Sequence, residues 1–226
     1  MAGLLAARIL ADHFDKVTLI ERDRLPGQPE ARKGVPQGRH VHILLARGLQ
    51  VLERLFPSIS DELRTAGALP VNAGRGIAWH HAGGWRTIYD SDISLLSMSR
   101  PLLETRVAER VRALPNVTIL ENERLAGISS DQGAVTGVEV SGARQHSTVG
   151  ADLVVDATGR GSAMPNWLEQ LGCAPPATDE IPVPLTYSTC QFRRVAVTRT
   201  GGHCSSRHRA HGVPASPGRS RNIAGW

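Results

Sequence analysis

The sequence MAGLLAARILADHFDKVTLIERD, residues 1–23, combines two local patterns from which the fold can be inferred. Apolar residues at positions 4, 5, 9 and 10 recur at near-helical spacing and predict a helix over Ala2–His13. The segment KVTLI, residues 16–20, alternates and is rich in β-branched side chains, which predicts a strand. Charged residues follow immediately, so we expect the strand to end at Glu21.

A glycine at the start of a helix and an acid at the end of the following strand are typical of dinucleotide-binding units. Gly3 and Glu21 have this arrangement. The helix N-terminus would face a pyrophosphate, the carboxylate would bind ribose hydroxyls, and the glycine would let helix and strand pack closely. An ordinary helix–strand pair with a surface acid is the alternative.

The rest of the chain predicts helices alternating with strands. The additional helices are predicted over Val41–Leu55, Pro101–Leu114 and Met164–Leu171, and the additional strands over Val117–Glu121, Leu125–Ser129, Ala134–Val140 and Ala151–Asp156. The strands Leu125–Ser129 and Ala134–Val140 are predicted to pair through a turn at residues 131–133. Residues 68–95 predict a β-meander with its turn at Gly83 and Gly84. The run ADLVVD is typical of a strand buried in a parallel sheet. The order indicates an α/β fold with an inserted meander.

Composition changes at about residue 193. We expect residues 1–192 to form one domain and residues 193–226 to be a disordered tail rich in Arg, Ser, Gly, His and Pro, with an abrupt start typical of a frameshifted end. The net charge of +5 originates there, because seven arginines and no acid follow Glu180. Without them, 19 basic residues face 21 acidic ones, a net charge of −2. This pattern disfavours a nucleic-acid partner.

Other classes of protein and site have little support in the sequence. No apolar run approaches the roughly 18 residues that a membrane span needs, and no signal peptide is evident, so we expect a cytoplasmic protein. Three widely spaced cysteines predict neither a disulfide framework nor a metal site. His40 and His42 lie two apart with no third ligand nearby, so no metal site is predicted.

Five segments together resemble one enzyme superfamily. They are MAGLLAARIL, VTLIERD, QGRHVH, SMSRPLLE and ADLVVDATGRGS, and the resemblance that they carry covers about residues 1–192. They are similar to motifs of the FAD-dependent monooxygenases that include para-hydroxybenzoate hydroxylase and squalene epoxidase, with geranylgeranyl reductases and flavin-dependent halogenases as relatives. The resemblance implies an incomplete Rossmann-like FAD-binding domain whose parallel sheet lacks its first strand.

The resemblance assigns roles to four residues of the first half. Glu21 stands where the family's acid binds the adenosine ribose, and Arg22 completes the family's Glu-Arg pair. Arg39, ahead of the second helix, is similar to an arginine that reaches FAD. Arg100 is similar to an arginine that opens the helix after the meander and contacts the flavin. Without the resemblance, Arg39 and Arg100 would be interpreted as exposed surface residues.

The late segment departs from the family pattern. It resembles the motif in which an Asp-Gly pair lies beside the flavin and the NAD(P)H route. Aligned on Gly159, the family's Asp is replaced by Thr158, and Asp156 lies two residues earlier, as in reductase-like and halogenase-like relatives. The family's downstream Gly-Asp motif is absent from this sequence. Direct reduction by NAD(P)H is therefore not implied for this chain.

The resemblance implies an FAD-dependent oxidoreductase that hydroxylates or epoxidises a small organic substrate with O₂, with NAD(P)H as a possible electron donor. FAD would perform the chemistry, and no catalytic side chain is assigned. We expect this chain alone to bind FAD weakly or not at all and to be inactive. The alternatives are a non-functional remnant, a reductase-like or halogenase-like flavoprotein, a plain NAD-dependent dehydrogenase, and nucleic-acid binding through the tail.

Overall fold

The computed structural model describes residues 1–40, 42–81, 83–142, 146–183, 186, 188–190 and 202–205. The chain divides into two compact units. Unit 1 comprises residues 1–36 and 103–186, and unit 2 comprises residues 37–102 and 187–226. Each unit is assembled from two separate parts of the chain. The single domain predicted over residues 1–192 stays a prediction.

The described residues form five α-helices and ten strands. The helices are α1 (Ala2–Leu10), α2 (Ala46–Leu55), α3 (Ile59–Thr65), α4 (Arg100–Arg112) and α5 (Met164–Gln170). The strands are β1 (Val17–Glu21), β2 (Leu69–Asn72), β3 (Ile77–His81), β4 (Gly84–Trp85), β5 (Ser94–Ser97), β6 (Val117–Glu121), β7 (Glu123–Asp131), β8 (Ala134–Gly142), β9 (Ser147–Gly150) and β10 (Gly202–Ser205).

Unit 1 contains the predicted helix–strand pair and its parallel neighbour. Strands β1 and β6 pair in parallel from Val17 opposite Val117 to Glu21 opposite Glu121. The helix is shorter than predicted and ends at Leu10. Asn116 secures the connection that follows, because its Nδ2 donates hydrogen bonds to the carbonyl oxygens of Ala11 and Phe14 at 2.8 and 2.9 Å.

An antiparallel sheet of strands β7, β8 and β9 completes the sheet structure of unit 1. The predicted turn between the first two strands is confirmed, with positive φ angles of 47° at Gln132 and 81° at Gly133. Positive φ at both central residues suits the right-handed twist of a two-residue hairpin. Val138 and Val140 of β8 are buried. The architecture is therefore mixed α/β, with a parallel pair and antiparallel strands.

The predicted strand Ala151–Asp156 is wrong. The segment forms no strand, and Leu153 and Val155 are 51% and 49% exposed. A strand requires a hydrogen-bonded neighbour, and in the described part of the chain the parallel sheet consists of β1 and β6 alone. An apolar run indicates a preference for burial but does not supply the pairing partner.

Unit 2 contains α2, α3 and two small sheets. Residues 42–45 are not helical although the predicted helix began at Val41, and Val41 itself lies outside the described residues. Helix α3 was not predicted, and its Ile59 and Leu63 are fully buried. Glu53 holds the start of this helix, since its carboxylate accepts hydrogen bonds from the backbone amides of Ser58 and Ser60 at 2.6 and 3.0 Å.

The predicted meander of residues 68–95 is two separate pairings. Strand β2 pairs antiparallel with β5, and β3 pairs antiparallel with β4. The hairpin turn is one residue earlier than predicted, because Gly84 already pairs with His81 and the positive φ of 82° falls on Gly83.

The tail contains one described element. Residues 202–205 form β10, which pairs in parallel with β3, although the sequence predicts no regular structure there. The adjoining residues 191–201 and 206–226 lie outside the described residues, so the prediction of disorder stays a prediction for them. No helix in the described ranges is long and apolar enough to cross a membrane.

Candidate functional site

One edge of the parallel pair in unit 1 brings together three segments that the sequence singled out. Glu21 ends β1 at this edge. Gly3, in the first turn of α1, lies beside the strand and beside the late segment, since a Cβ added to it would be 4.0 Å from Cδ1 of Leu19 and 3.4 Å from Cβ of Ala157. The helix N-terminus, the acid and the segment after residue 155 are therefore neighbours.

The N-terminus of α1 is suited to an anion. The helix has no side-chain cap and no acidic residue in its first turn. Backbone amides at such an end carry partial positive charge and bind phosphate groups. Packing against the strand does not require glycine at position 3, because an added methyl group would make ordinary van der Waals contact with Ala157 and Leu19. The prediction that position 3 needs a glycine for close packing of helix and strand is therefore wrong, since the Cβ of an alanine would fit there.

The carboxylate of Glu21 is held at both oxygens. Its Oε1 accepts a hydrogen bond of 3.0 Å from the backbone amide of Asp23. Its Oε2 lies 2.9 Å from Nη1 of Arg32. The Glu21 side chain is 22% exposed, so a ligand can still reach it. Fixed orientation and partial exposure are the properties that a carboxylate needs to bind a ribose diol.

The acid loop, defined as residues 21–34, is closed by two further hydrogen bonds. The backbone amide of Gly34 donates to Oδ2 of Asp23 at 2.9 Å, and Nη2 of Arg22 donates to the carbonyl oxygen of Gly34 at 2.9 Å. A Cβ on Gly34 would lie 2.3 Å from Oδ2 of Asp23, so any larger residue would force the Asp23 carboxylate to move. The structure thus places Arg22 in a contact that closes the loop.

Helix α4 anchors the same loop. The Oγ1 of Thr105 donates to the carbonyl oxygen of Gln28 at 3.4 Å, and Nη2 of Arg112 donates to the carbonyl oxygen of Leu25 at 3.2 Å. Arg112 also forms an ion pair with Glu121 at the end of β6. Leu25 is buried. A loop that the sequence describes only as rich in Pro, Gly and charge is therefore an ordered part of unit 1.

Arg32 is the residue of this site that sequence reasoning missed. Its side chain is only 9% exposed, and it lies within 4 Å of carboxylate oxygens of Glu21, Asp23 and Glu104. No local pattern marks it, because an arginine in a polar loop is normally exposed. The sequence contains one signal for it, the number of acids in this short loop, because carboxylates so close together need a cation between them.

The glycine turn, defined as residues 156–162, is organised around Asp156. Its Oδ1 accepts hydrogen bonds from the amide and the hydroxyl of Thr158 at 2.9 and 2.6 Å, and Oδ2 accepts one from the hydroxyl of Ser162. Burial raises the pKa of the Asp156 carboxyl, but the hydrogen bonds from Ser162 and Thr158 outweigh it and hold the pKa below its ordinary value.

Gly159 allows this turn to form. Its φ is 82°, in the left-handed region that residues with a Cβ rarely adopt, and residues 159–161 form a 3-10 turn. Nothing lies within 4 Å of a Cβ added there, so the need for glycine is conformational. Thr158, at the position of the family's acid, donates its hydroxyl proton to Asp156.

The two other predicted arginines belong to unit 2. Arg39 is exposed at the end of a 3-10 turn over residues 36–39, and Arg100 is half-buried at the first position of α4. Unit 1 therefore brings together the other predicted residues, which are Gly3, Glu21, Arg22, Asp156, Thr158 and Gly159. Their proposed contacts with FAD stay predictions.

The described part of the chain contains no group of three or more His, Cys, Asp or Glu side chains arranged to hold a metal ion. The ring nitrogens Nδ1 of His40 and His42 have other partners, at 2.9 Å from the hydroxyl of Thr189 and 2.8 Å from the carbonyl oxygen of His40.

The comparison with known families rests on the segment that contains all of these unit 1 residues. Residues 1–166 match the family described as FAD dependent oxidoreductase. The chain belongs to this family. The resemblance inferred from the sequence motifs is thereby confirmed, and a flavoprotein enzyme family is established for the chain.

Two curated relatives extend this result. Protein Rv3254 of Mycobacterium tuberculosis (strain ATCC 25618 / H37Rv) is 37% identical over 210 residues, covering 85% of this chain and 43% of the relative. The 6-methylpretetramide 4-monooxygenase of Streptomyces rimosus is 30% identical over 171 residues, covering 72% of this chain and 37% of that enzyme. The chain thus spans less than half the length of either relative.

Solved structures show the same fold at low identity. The flavin-dependent brominase Bmp2 superposes with a TM-score of 0.53 and 14% identity, over 73% of this chain and 37% of that one. The flavin-dependent halogenase CmlS has a TM-score of 0.53 and 17% identity, over 74% of this chain and 29% of that one. Both likenesses concern the fold alone.

The residues present fit the adenosine and pyrophosphate half of FAD. An uncapped helix N-terminus offers amides to phosphates, and next to the same edge a partly exposed carboxylate offers acceptors to ribose hydroxyls.

Proposed function

We propose that unit 1 of this chain binds the adenosine and pyrophosphate half of FAD, within an incomplete Rossmann-like FAD-binding domain. The observation that supports the proposal is the grouping of the α1 N-terminus, Glu21 and the glycine turn at one edge of the β1–β6 pair. In this proposal the helix amides bind the pyrophosphate, and the Glu21 carboxylate accepts hydrogen bonds from the ribose hydroxyls.

The other predicted residues take supporting parts in the proposal. Arg22 closes the acid loop through Gly34 and so keeps Glu21 at the end of its strand. Gly159 supplies the left-handed conformation that lets the backbone after Asp156 approach a ligand. Arg39 and Arg100 are proposed to contact FAD.

The proposed reaction is that of a flavoprotein monooxygenase, which hydroxylates or epoxidises a small organic substrate with NAD(P)H and O₂. The supporting comparison is the 30% identity to an enzyme named as a 6-methylpretetramide 4-monooxygenase. Bound FAD would supply the redox chemistry, and this chain's residues would bind and orient it. We propose further that this chain alone is inactive.

The contacts of Asp156 favour a second candidate, a reductase-like or halogenase-like flavoprotein. Thr158 occupies the position of the acid that lies on the family's NAD(P)H route, and both oxygens of the nearby Asp156 already accept hydrogen bonds. A Thr158→Asp variant distinguishes the two. If it accelerates NADPH-dependent bleaching of flavin absorbance in the FAD-loaded chain at least tenfold over wild type, the second candidate is supported. Equal rates favour the first, provided that both exceed the rate for free FAD.

The binding proposal is tested by titrating the purified chain into FAD and following flavin fluorescence. We expect weak, saturable binding, and we expect Glu21→Gln to weaken it by roughly tenfold because a charged acceptor for the ribose is lost. The exposed Glu30 provides the matched control, and Glu30→Gln should bind as wild type does.

A second titration with FMN identifies the half of the cofactor that Glu21 recognises. FMN has no adenosine, so Glu21→Gln should leave its affinity unchanged. Equal weakening of FAD and FMN, or no effect of Glu21→Gln on FAD, would contradict the proposed role of Glu21. A wild-type chain that binds no FAD at millimolar concentration would contradict the proposed function of this chain.

A further inference from the structure

The cluster around Arg32 joins three acids to one buried cation. Its Nη1 lies 2.9 Å from Oε2 of Glu21 and 3.9 Å from Oδ2 of Asp23, and its Nη2 lies 3.8 Å from Oε2 of Glu104. Glu21 and Asp23 therefore lie close to the same guanidinium nitrogen. Without this cation the two carboxylates would repel each other in a partly desolvated loop.

The Arg32 guanidinium interacts with these acids through its charge rather than through hydrogen bonds. In the described structure Nη1 is buried and has no acceptor in line with its N–H groups, although Glu21 is within ion-pair distance. An arginine fixed in this way acts on Glu21 through its charge. The Glu104 side chain is 12% exposed, so α4 contributes a largely buried acid to the cluster.

The exposed fraction of the side chain distinguishes Glu21, which a ligand can reach, from Arg32, which is shielded from solvent. The Glu21 side chain is 22% exposed and that of Arg32 is 9% exposed. Glu21 is also held at Oε1 by the amide of Asp23. Each carboxylate oxygen has two lone pairs, so at least one remains on each oxygen for an incoming hydroxyl.

We infer that Arg32 is a positioning residue, which holds the Glu21 carboxylate in the orientation that binds the ribose diol of FAD. The inference rests on the proposed function of Glu21. It assigns Arg32 an action through Glu21 and no contact with the cofactor. Two measurements test it, of which the first needs no ligand.

The first measurement is hydrogen exchange of the Asp23 backbone amide, which donates to Oε1 of Glu21. In Arg32→Met the carboxylate loses its position, so this amide should exchange at least fivefold faster, while the amides of the β1–β6 ladder keep wild-type protection. Arg32→Lys retains the charge and should restore part of the protection. Arg24 is exposed, and Arg24→Met should match wild type.

The second measurement is a double-mutant cycle on FAD affinity. We expect Arg32→Met to weaken FAD binding roughly tenfold and to leave FMN binding unchanged, as for Glu21→Gln. When Glu21 is already Gln, Arg32→Met should have no further effect, because its action passes through that carboxylate.

Two results would overturn the inference. Unchanged exchange of the Asp23 amide in Arg32→Met would show that Glu21 is held without Arg32. Additive losses of FAD affinity in the double variant would show that Arg32 contacts FAD independently. If the wild-type chain binds no FAD, the proposed function fails, and amide exchange alone still decides whether Arg32 positions Glu21.

Discussion

The acid loop and the glycine turn lie at the same edge of unit 1 but are held in different ways. Hydrogen bonds of the acid loop join residues up to 87 positions apart, as between Arg112 and Leu25. Hydrogen bonds that Asp156 accepts in the glycine turn join residues no more than six positions apart. The first segment therefore depends on tertiary packing, and the second on its own sequence.

The acid loop and the glycine turn also differ in the solvent exposure of their residues. Arg32 is 9% exposed and surrounded by acids, whereas Asp156, Thr158 and Gly159 are all exposed. An interaction that is shielded from water is stronger than the same interaction at the surface. Changes in the acid loop should therefore cost more stability than changes in the glycine turn, and four substitutions test that order.

Arg32→Met is expected to have the largest effect. It leaves the carboxylates of Glu21 and Asp23 without their shared cation, and the free energy of unfolding should fall by about 2 kcal/mol, less than for a fully buried pair. Urea denaturation measures the loss. The exposed Arg24 supplies the control, since Arg24→Met should change stability by less than about 0.5 kcal/mol. Equal losses would refute the buried ion-pair cluster.

Gly34→Ala should follow, with a loss of about 1–2 kcal/mol. The added Cβ would lie 2.3 Å from Oδ2 of Asp23 and 2.9 Å from Nε of Arg22, so the hydrogen bonds that close the loop must lengthen or break. Gly27 is in the same loop, and nothing lies within 4 Å of a Cβ added there. If Gly27→Ala is as destabilising as Gly34→Ala, the close approach is not the cause.

Gly159→Ala should cost about 1 kcal/mol, because alanine is strained at a φ of 82°. Gly161 is a control in the same turn, since nothing lies within 4 Å of a Cβ added to either glycine. The difference between the two alanine variants in thermal unfolding isolates the conformational strain. No difference would mean that residue 159 adopts another conformation in solution.

Asp156→Ala should have the smallest effect, a few tenths of a kcal/mol at neutral pH, because the carboxylate is exposed. Hydrogen bonds lower the folded-state pKa of Asp156, so its stabilising contribution is present above the unfolded pKa of about 4. That contribution is lost as pH falls through the folded-state pKa. Unfolding curves from pH 7 to pH 2.5 should show the two proteins converging in acid, and a constant difference would refute the assignment.

Some elements were predicted from local pattern alone. The strand Val117–Glu121 has the predicted bounds, and the turn at Gln132 and Gly133 forms as expected. Helix α1 ends three residues before the predicted His13, where polar and charged residues interrupt the apolar spacing. In the helix and the turn the deciding interactions join residues that are close in sequence, so periodicity and turn composition indicate them. The strand Val117–Glu121 also depends on its distant partner Val17–Glu21.

Other elements failed because their partners are distant in sequence. ADLVVD has the composition of a buried strand, yet it joins no sheet of the described residues, although the amide of Ala151 donates to the carbonyl oxygen of Thr136 at 3.0 Å. Helix α3 is only seven residues long, and its two fully buried residues, Ile59 and Leu63, are too few to define a period. Its start depends on Glu53 of the preceding helix, which no cap motif at Ser58 reveals.

The sequence by itself determined the helix–strand pair, the acid at its end and the motifs that identify the FAD-dependent oxidoreductase family. Only the tertiary structure decided the burial of Arg32 among Glu21, Asp23 and Glu104, and the use of Arg22 to close the acid loop. Backbone periodicity is encoded over a few residues, whereas the partner and the exposure of a charge depend on which distant segments fold beside it.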